Sequence, residues 1–468
     1  MSIWSLNDIK KDLSDKQQHR STWRIAAPML LSNMTVPLVG LVDSGVMGHL
    51  PDSHHLAAVG LGAALFTFIV WTMGFLRMIT TGLVAQAYGA SNHQDIRQWL
   101  FLSSLLALSV AIITLILNPW TIDLILWWVE GSAAVEESVL LYWNTRIWGL
   151  PFTLLNAVMI GWFIGMQNAR VPFAMLLIIN LFNVGLDLLF VQGFGMAVDG
   201  VAIASVISEI LGFIYGAICL KGLLNKFPLQ EKFQLAWAKL KQLLRLNGDL
   251  LIRTLSLELV FFTIHSRGAE LGDEVMAVNA VLLNFLLVIS NGLDGFANAV
   301  EAQVGRALGR DKWQDFRASI NVGGFWSIVT SLAFCLTFLL FVETFIGWIT
   351  DIESVRQQAE PYHIYIILIP LVAIWGFWLD GIFVGASAIT TMRNSMILAV
   401  IVGFIPLYFF TKDYGNHGLW WAFFAFLAMR AITSFWLLYR GIKAGRYISL
   451  STIEVYKNGL VLGKATKP

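Results

Sequence analysis

The chain has 468 residues, of which 57% are hydrophobic and only 13% are charged. Soluble domains carry roughly 25% charged residues and about 45–50% apolar ones, so an ordinary soluble fold is excluded. The formal net charge of +1 gives no reason to expect a nucleic-acid partner. The mean hydropathy of +0.70 favours a chain that crosses a membrane many times.

Twelve apolar intervals are long enough to cross the hydrocarbon core, which takes about 20 residues per helix. Unbroken apolar runs also differ from the alternating strands of a membrane barrel. The predicted spans are 25–47, 56–80, 99–118, 139–165, 172–192, 200–220, 249–268, 275–299, 319–342, 362–386, 394–410 and 418–439. With both termini in the cytoplasm, most of the 31 lysines and arginines fall in cytoplasmic segments, as the positive-inside rule expects. Residues 1–24 are polar and charged, so we expect no cleaved signal peptide.

The two halves of the chain resemble each other. Ala85-Gln86 matches Ala302-Gln303, and the segment 94–97 (QDIR) matches 314–317 (QDFR). Six spans per half make the repeats parallel. The predicted fold is an all-α membrane protein with twelve transmembrane helices in two six-helix lobes related by a parallel pseudo-two-fold repeat. The predicted limits are 1–220 for the N-lobe, 221–248 for a cytoplasmic linker, 249–440 for the C-lobe and 441–468 for a cytoplasmic tail.

Acidic and amide side chains inside the spans are the main functional signal, because a carboxylate at membrane depth is costly and is usually functional. Asp43 lies near the end of a first span that also contains Pro28 and Pro37, and bent spans beside a buried charge are typical of ion-coupled transporters. The candidate ion-coupling residues are Asp43, Asn180, Asn183, Asp187 and Ser205. Their oxygens suit either a proton shared between two acids or Na⁺ at Asp43, Asn183, Asp187 and Ser205.

Further polar residues in the spans form a second set of candidates. Asn33, Gly40, Tyr142, Asn156 and Glu209 are possible pocket residues, and Glu258, Asp294 and Asp380 are candidates in the second half. We expect Arg146, Arg253 and Arg430 to pair with acids or to extend toward an interface. The sequence has no phosphate-binding loop, zinc signature or nucleophile motif, so we predict neither an enzyme nor a cofactor other than the coupling ion.

The motifs resemble those of the multidrug and toxic compound extrusion (MATE) transporters, within them the DinF-like branch. The likeness covers all twelve spans and is most specific from Pro37 to Leu50 (PLVGLVDSGVMGHL), with support from 165–172 (GMQNARVP) and 180–187 (NLFNVGLD). It implies an antiporter that expels organic cations or amphipathic compounds through two six-helix lobes. It further implies that Asp43 is the coupling acid, that Asn183, Asp187 and Ser205 are its partners, and that the first helix bends at Pro28.

The resemblance leaves the coupling ion open. Glu258 and Asp380 are similar to an acid pair associated with Na⁺ coupling, whereas the first-half set favours H⁺, which we prefer. The alternative function is a lipid-linked precursor flippase of the same superfamily, although such proteins usually have additional C-terminal spans. We expect membrane lipid and drug-like small molecules as partners, no nucleic acid, a monomer, and a location in the inner (plasma) membrane.

Overall fold

The computed structural model describes residues 5–48, 53–122, 132–227 and 236–448, without the side chains of 36–48 and 53–58. Within these ranges the chain is helical and contains no strand. The main helices are α1 Leu6–Leu13, α2 Lys16–Gly48, α3 Ser53–Thr72, α4 Phe75–Gly89, α5 His93–Ile116, α6 Ala133–Arg146, α7 Leu150–Gly165, α8 Arg170–Asp187, α9 Val198–Leu224, α10 Trp237–Leu271, α11 Asp273–Gly309, α12 Trp313–Ile349, α13 Glu353–Ala359, α14 His363–Gly385, α15 Ile389–Leu398, α16 Ile405–Thr411 and α17 Gly415–Lys443. Two π-helical segments, Leu188–Gly193 and Ala399–Phe404, follow α8 and α15.

All twelve predicted spans lie on helical segments of the chain. By length and apolar composition alone, nine helical stretches of the described ranges qualify as membrane spans. One of them, Ile389–Lys443, contains two of the predicted spans. The predicted span 249–268 does not qualify because it carries several charged side chains. The prediction of an all-helical, multi-span membrane fold is confirmed.

The outward faces of the helices are apolar, as lipid contact requires. On α12, Leu332, Leu336 and Leu339 are exposed, whereas Ser327 and Ser331 are buried. A soluble helix has the opposite arrangement, with its polar face outward. Small polar residues at helix contacts and leucines on the outside are typical of helices packed within a bilayer.

The helices form two compact units. One, called here the C-terminal unit, comprises Met1–Leu30, Gly89–Ser91 and Arg245–Pro468; the other, the N-terminal unit, comprises Leu31–Tyr88 and Asn92–Leu244. In the C-terminal unit α11 packs against α12 and α14, and in the N-terminal unit α8 packs against α9. The first thirty residues thus group with the second half of the chain, which the half-length repeat did not predict.

The internal repeat is visible in the backbone. Four non-glycine residues have positive φ in the described ranges, namely Ser91 (55°), Gln167 (61°), Asp311 (49°) and Ser387 (51°). Such angles are uncommon for residues other than glycine. They form two pairs, Ser91 with Asp311 and Gln167 with Ser387, and the members of each pair are 220 residues apart. Both halves of the chain therefore use the same unusual turns at equivalent positions.

Close helix packing repeats at the same separation. A Cβ atom on Gly161 would lie 2.4 Å from the carbonyl oxygen of Arg77, and one on Gly381 would lie 2.6 Å from that of Ala297. Gly381 and Ala297 are each 220 residues beyond their counterparts. Only glycine allows a neighbouring backbone to approach this closely, so the repeat extends to the helix contacts within each unit.

A short helix before the first span is bound within the C-terminal unit. The Ser5 hydroxyl caps α1 by accepting the Asp8 backbone N–H at 3.1 Å. Arg317, which is only 1% exposed, donates to Asp12 at 2.8 and 2.9 Å and pairs with Asp8 at 2.6 Å. Asn321 donates a further hydrogen bond to Asp12 at 2.8 Å. These contacts fix α1 to α12.

Candidate ion-coupling site

The polar residues of α8 lie on a face that packs within the N-terminal unit. Asn183 is 3% exposed and Asp187 is completely buried, whereas the intervening Gly185 is exposed. The Asn183 side-chain amide donates to the Ser205 hydroxyl on α9 at 3.1 Å. Three of the predicted coupling residues, Asn183, Asp187 and Ser205, therefore lie on two adjoining helices.

The backbone changes its pitch at this site. Helix α8 ends at Asp187, and the π-helical segment Leu188–Gly193 follows directly. Single π-helical turns inside helices are frequently found at functional sites. The buried carboxylate thus lies at a junction between two helical forms.

A second contact joins α8 to the first span. The half-buried Asn180 donates from its side-chain amide to the Thr35 hydroxyl on α2. Asp43 and Gly40 are further along α2, but their side chains lie outside the described residues. Asn33 and Pro28 are both half-buried on the same helix. Pro28 belongs to the part of α2 that groups with the C-terminal unit.

The predicted pocket residues Asn156 and Glu209 contact each other. Asn156 donates to the Glu209 carboxylate at 2.7 Å and to its backbone carbonyl at 2.9 Å. Arg146 pairs with the other Glu209 carboxylate oxygen at 3.8 Å and lies 4.0 Å from the centre of the Phe66 ring. This arrangement confirms that Arg146 pairs with an acid and gives the N-terminal unit a buried, partly neutralised polar cluster.

Tyr142 is buried elsewhere on the same helix as Arg146. Its ring packs against Gly62, where a Cβ atom would lie 2.6 Å from the Tyr142 ring. The ring is thus held in direct contact with α3.

The acid of the tenth predicted span has two arginine partners. The Asp380 Oδ2 atom accepts from Arg253 on α10 and from Arg430 on α17, each at 2.5 Å. Asp380 and Arg430 are buried, at 7% and 3% exposure. The expected pairing of both arginines with an acid is confirmed.

The other two candidate acids of the second half are half-buried. Glu258 is half-buried on α10 and forms no hydrogen bond or ion pair with any described residue. Asp294 is half-buried on α11 and interacts electrostatically with Arg430. In the described ranges, no three His, Cys, Asp or Glu side chains converge as metal ligands would. Any Na⁺ site among them would need amide, hydroxyl or backbone oxygens.

Comparisons with known proteins place the chain in a family. The family model described as MatE matches residues 28–189 and 250–409, which together make up more than half of the chain. The chain belongs to the MatE family. One matched segment lies in each half of the chain, as expected for the internal repeat. The family resemblance inferred from the motifs is therefore confirmed. MatE proteins are transporters and not enzymes.

Relatives and solved structures of MatE proteins match nearly the whole chain. DNA damage-inducible protein F of Escherichia coli K12 is 40% identical over 88% of this chain and 90% of its own length. "Probable multidrug resistance protein NorM" of Synechocystis is 24% identical over 92% and 96%. The solved structure "Crystal structure of MATE P26A mutant" has a TM-score of 0.82 at 19% identity over 93% and 98%. At that identity the structural match shows the shared MatE fold.

Two sets of buried ion pairs were not predicted from the sequence. The joint pairing of Arg253 and Arg430 with Asp380 links three helices, and only the rarity of intramembrane arginines hinted at it. The binding of Arg317 by α1 was also missed. Asp8 and Asp12 are four residues apart and so share a helix face, which was the available signal.

Proposed function

We propose that the protein is a secondary active multidrug exporter of the inner membrane, with both termini in the cytoplasm. It exchanges organic cations or amphipathic drugs for H⁺ by alternating access. The observation that carries this proposal is the fully buried Asp187, one turn from the Asn183–Ser205 hydrogen bond. Support also comes from the relative named as a probable multidrug resistance protein.

Proton coupling follows from the physical chemistry of two acids that share one site. Asp43 and Asp187 are the carboxylates that we assign to this site, and Asn183 and Ser205 supply neutral hydrogen-bonding partners. Two carboxylates in a low-dielectric site repel each other, so the pair readily holds one proton. Loading the proton removes the repulsion, and releasing it restores an anionic site that attracts a cationic drug. Exchange of one for the other is antiport.

Pro28 gives α2 a place to bend. A proline inside a helix removes one backbone hydrogen bond and weakens the helix at that point. Solved structures at 19–20% identity include a bent conformation, a straight conformation and a P26A mutant. We propose that protonation of Asp43 changes the bend at Pro28. Replacement of Pro28 by Ala should lower dye efflux while the folded yield is kept, and normal efflux would remove the bend from the mechanism.

The flippase alternative has one observation in its favour. The buried Arg430 and the half-buried Arg253 place two positive charges in the C-terminal unit, and a lipid-linked precursor is anionic. Both charges are directed at Asp380, however, and the triad is therefore not a free cationic surface. Expression in a pump-deficient host discriminates the two functions, because only the exporter raises resistance to ethidium-like dyes.

The coupling ion is tested in proteoliposomes with pH and Na⁺ gradients imposed separately. Wild-type protein should extrude ethidium with the pH gradient alone. Asp43→Asn and Asp187→Asn should abolish this transport, and Asp351→Asn, which removes an exposed loop carboxylate, should leave it unchanged. Efflux that requires a Na⁺ gradient at equal pH would contradict the proposed H⁺ coupling.

A further inference from the structure

The C-terminal unit buries two guanidinium groups against one carboxylate. Arg253 and Arg430 both donate to the same Asp380 oxygen, Oδ2, and they approach it from different helices. Side-chain exposure is 13% for Arg253, 4% for Arg430 and 10% for Asp380. The contacting charges therefore number two positive and one negative, in a part of the unit that water barely reaches.

The packing around Arg430 is built to admit this side chain. A Cβ atom on Gly376 would lie 2.8 Å from the Arg430 Cζ atom, so any larger residue at that position would displace the guanidinium. The Phe377 ring lies 5.8 Å from the same Cζ atom, within the range of a cation–π contact. Arg430 is thus held over Asp380 by the shape of α14 as well as by charge.

Two further acids of the C-terminal unit, Asp294 and Glu258, interact with the arginines. Asp294 interacts electrostatically with Arg430, and Glu258 does so with Arg253. A cation approaching Asp380 still has to displace a guanidinium that already occupies the carboxylate. Like charges this close, away from water, repel far more strongly than they would in solution.

We infer that Arg253 and Arg430 determine ion specificity, acting as tethered counter-ions that keep Na⁺ and cationic substrates away from Asp380. A buried intramembrane carboxylate would otherwise be an attractive site for a small cation. The consequence is that cation exchange is confined to the acids of the N-terminal unit. This inference rests on the proposed function for its role in transport, but the exclusion of Na⁺ from Asp380 is a binding property that can be measured separately.

The test measures sodium binding directly on the purified full-length protein. Equilibrium dialysis with radioactive sodium ion is combined with the shift in unfolding temperature caused by NaCl relative to choline chloride. Wild-type protein and Asp380→Asn should give equal sodium binding. Arg253→Gln, which keeps a hydrogen-bonding side chain and loses the charge, should bind Na⁺ about tenfold more tightly than wild type. The double variant Arg253→Gln/Asp380→Asn should bind Na⁺ no more tightly than wild type.

Two further variants separate the charge effect from simple disruption. Arg253→Lys keeps the positive charge and should behave like wild type. Arg356→Gln removes a positive charge from a partly exposed position in the same unit and should also leave sodium binding unchanged. A folded Arg253→Gln protein with no gain in sodium binding would overturn the inference. If Arg253→Gln does not fold, the comparison of sodium binding by wild type and Asp380→Asn still tests the inference. Sodium binding that is present in wild type and lost in Asp380→Asn would also overturn the inference.

The same assay distinguishes failure of this inference from failure of the proposed function. Wild-type sodium binding that disappears in Asp43→Asn and persists in Asp380→Asn would contradict H⁺ coupling in the N-terminal unit. It would leave the exclusion of Na⁺ from Asp380 intact. Sodium binding that persists in Asp43→Asn and disappears in Asp380→Asn would overturn only the role of the arginines.

Discussion

The Asn183 side-chain amide donates a hydrogen bond to the Ser205 hydroxyl across 3.1 Å, and this bond joins α8 to α9. It lies one helical turn before the fully buried Asp187. A hydroxyl that accepts from an amide can still donate its own proton elsewhere. The Ser205 hydroxyl can therefore donate to a neighbouring acid when that acid loses its proton, and it can accept from Asn183 at the same time.

Replacement of Ser205 by Ala should reduce drug efflux by up to about tenfold, because the buried Asn183 amide loses its acceptor. The cost in stability should be small, about 1 kcal/mol, since intramembrane hydrogen bonds of this kind contribute little. Ethidium efflux in vesicles and thermal unfolding in detergent measure the two effects. Ser256→Ala is the matched control, because among the described residues the Ser256 hydroxyl donates only to the Ile252 carbonyl of its own helix. Equal efflux from both variants would contradict a role for Ser205.

Replacement of Arg317 by Gln should destabilise the protein by about 3–5 kcal/mol, because it leaves the buried Asp12 and the half-buried Asp8 without their counter-charge. Arg317 is 1% exposed and contacts both Asp8 and Asp12. Denaturant unfolding of the purified protein measures the change. The control is Arg310→Gln, because the Arg310–Asp315 pair is solvent-exposed and spans 3.9 Å. Its loss should cost less than about 1 kcal/mol, and a similar effect from both variants would contradict the importance of burial.

The contact of Asp8 with Arg317 should depend on pH. Partial burial raises the pKa of Asp8, but the hydrogen bond with Ser5 and the charge of Arg317 together lower this pKa below its ordinary value. A lowered folded-state pKa means that the stabilisation is present above the unfolded-state pKa and disappears as pH falls through the folded-state pKa. Wild type should therefore be more stable than Asp8→Asn at neutral pH. The difference should vanish in strong acid, and one that grows on acidification would contradict this assignment.

The backbone contact at Gly381 predicts intolerance to a single methyl group. Gly381→Ala would place a Cβ atom 2.6 Å from the Ala297 carbonyl oxygen, so the helices must separate. Overpacking of this kind typically costs about 1–3 kcal/mol. Its repeat counterpart Gly161→Ala should behave similarly, whereas Gly248→Ala, which meets no atom within 4 Å, should be neutral or stabilising. Unfolding temperatures that fail to separate Gly248→Ala from the other two variants would contradict the packing account.

The sequence predicted those parts of the fold that depend on local composition. Twelve apolar intervals coincide with helices because span length is set by bilayer thickness and not by tertiary contacts. The repeat was also detectable, since glutamines and arginines such as Arg97 and Arg317 recur at half-chain separation. The pairing of Arg146 with an acid followed from the cost of an isolated charge in lipid.

Contacts between distant segments could not be predicted from the sequence. The joint pairing of Asp380 with Arg253 and Arg430 was not predicted, because the two arginines are 127 and 50 residues away in the chain. The grouping of residues 1–30 with the second half of the chain was missed for the same reason. Arg317 lies 305 residues from Asp12, and spacing within either helix contains no information about the other.

Proton release on drug binding tests the central claim most directly. Purified protein in weakly buffered detergent solution is titrated with ethidium while the pH is recorded. Wild-type protein should release protons in proportion to the dye bound, and Asp43→Asn should bind dye without releasing them. Wild-type binding with no proton release, or undiminished release from Asp43→Asn, would contradict exchange of H⁺ for drug at the acids of the N-terminal unit.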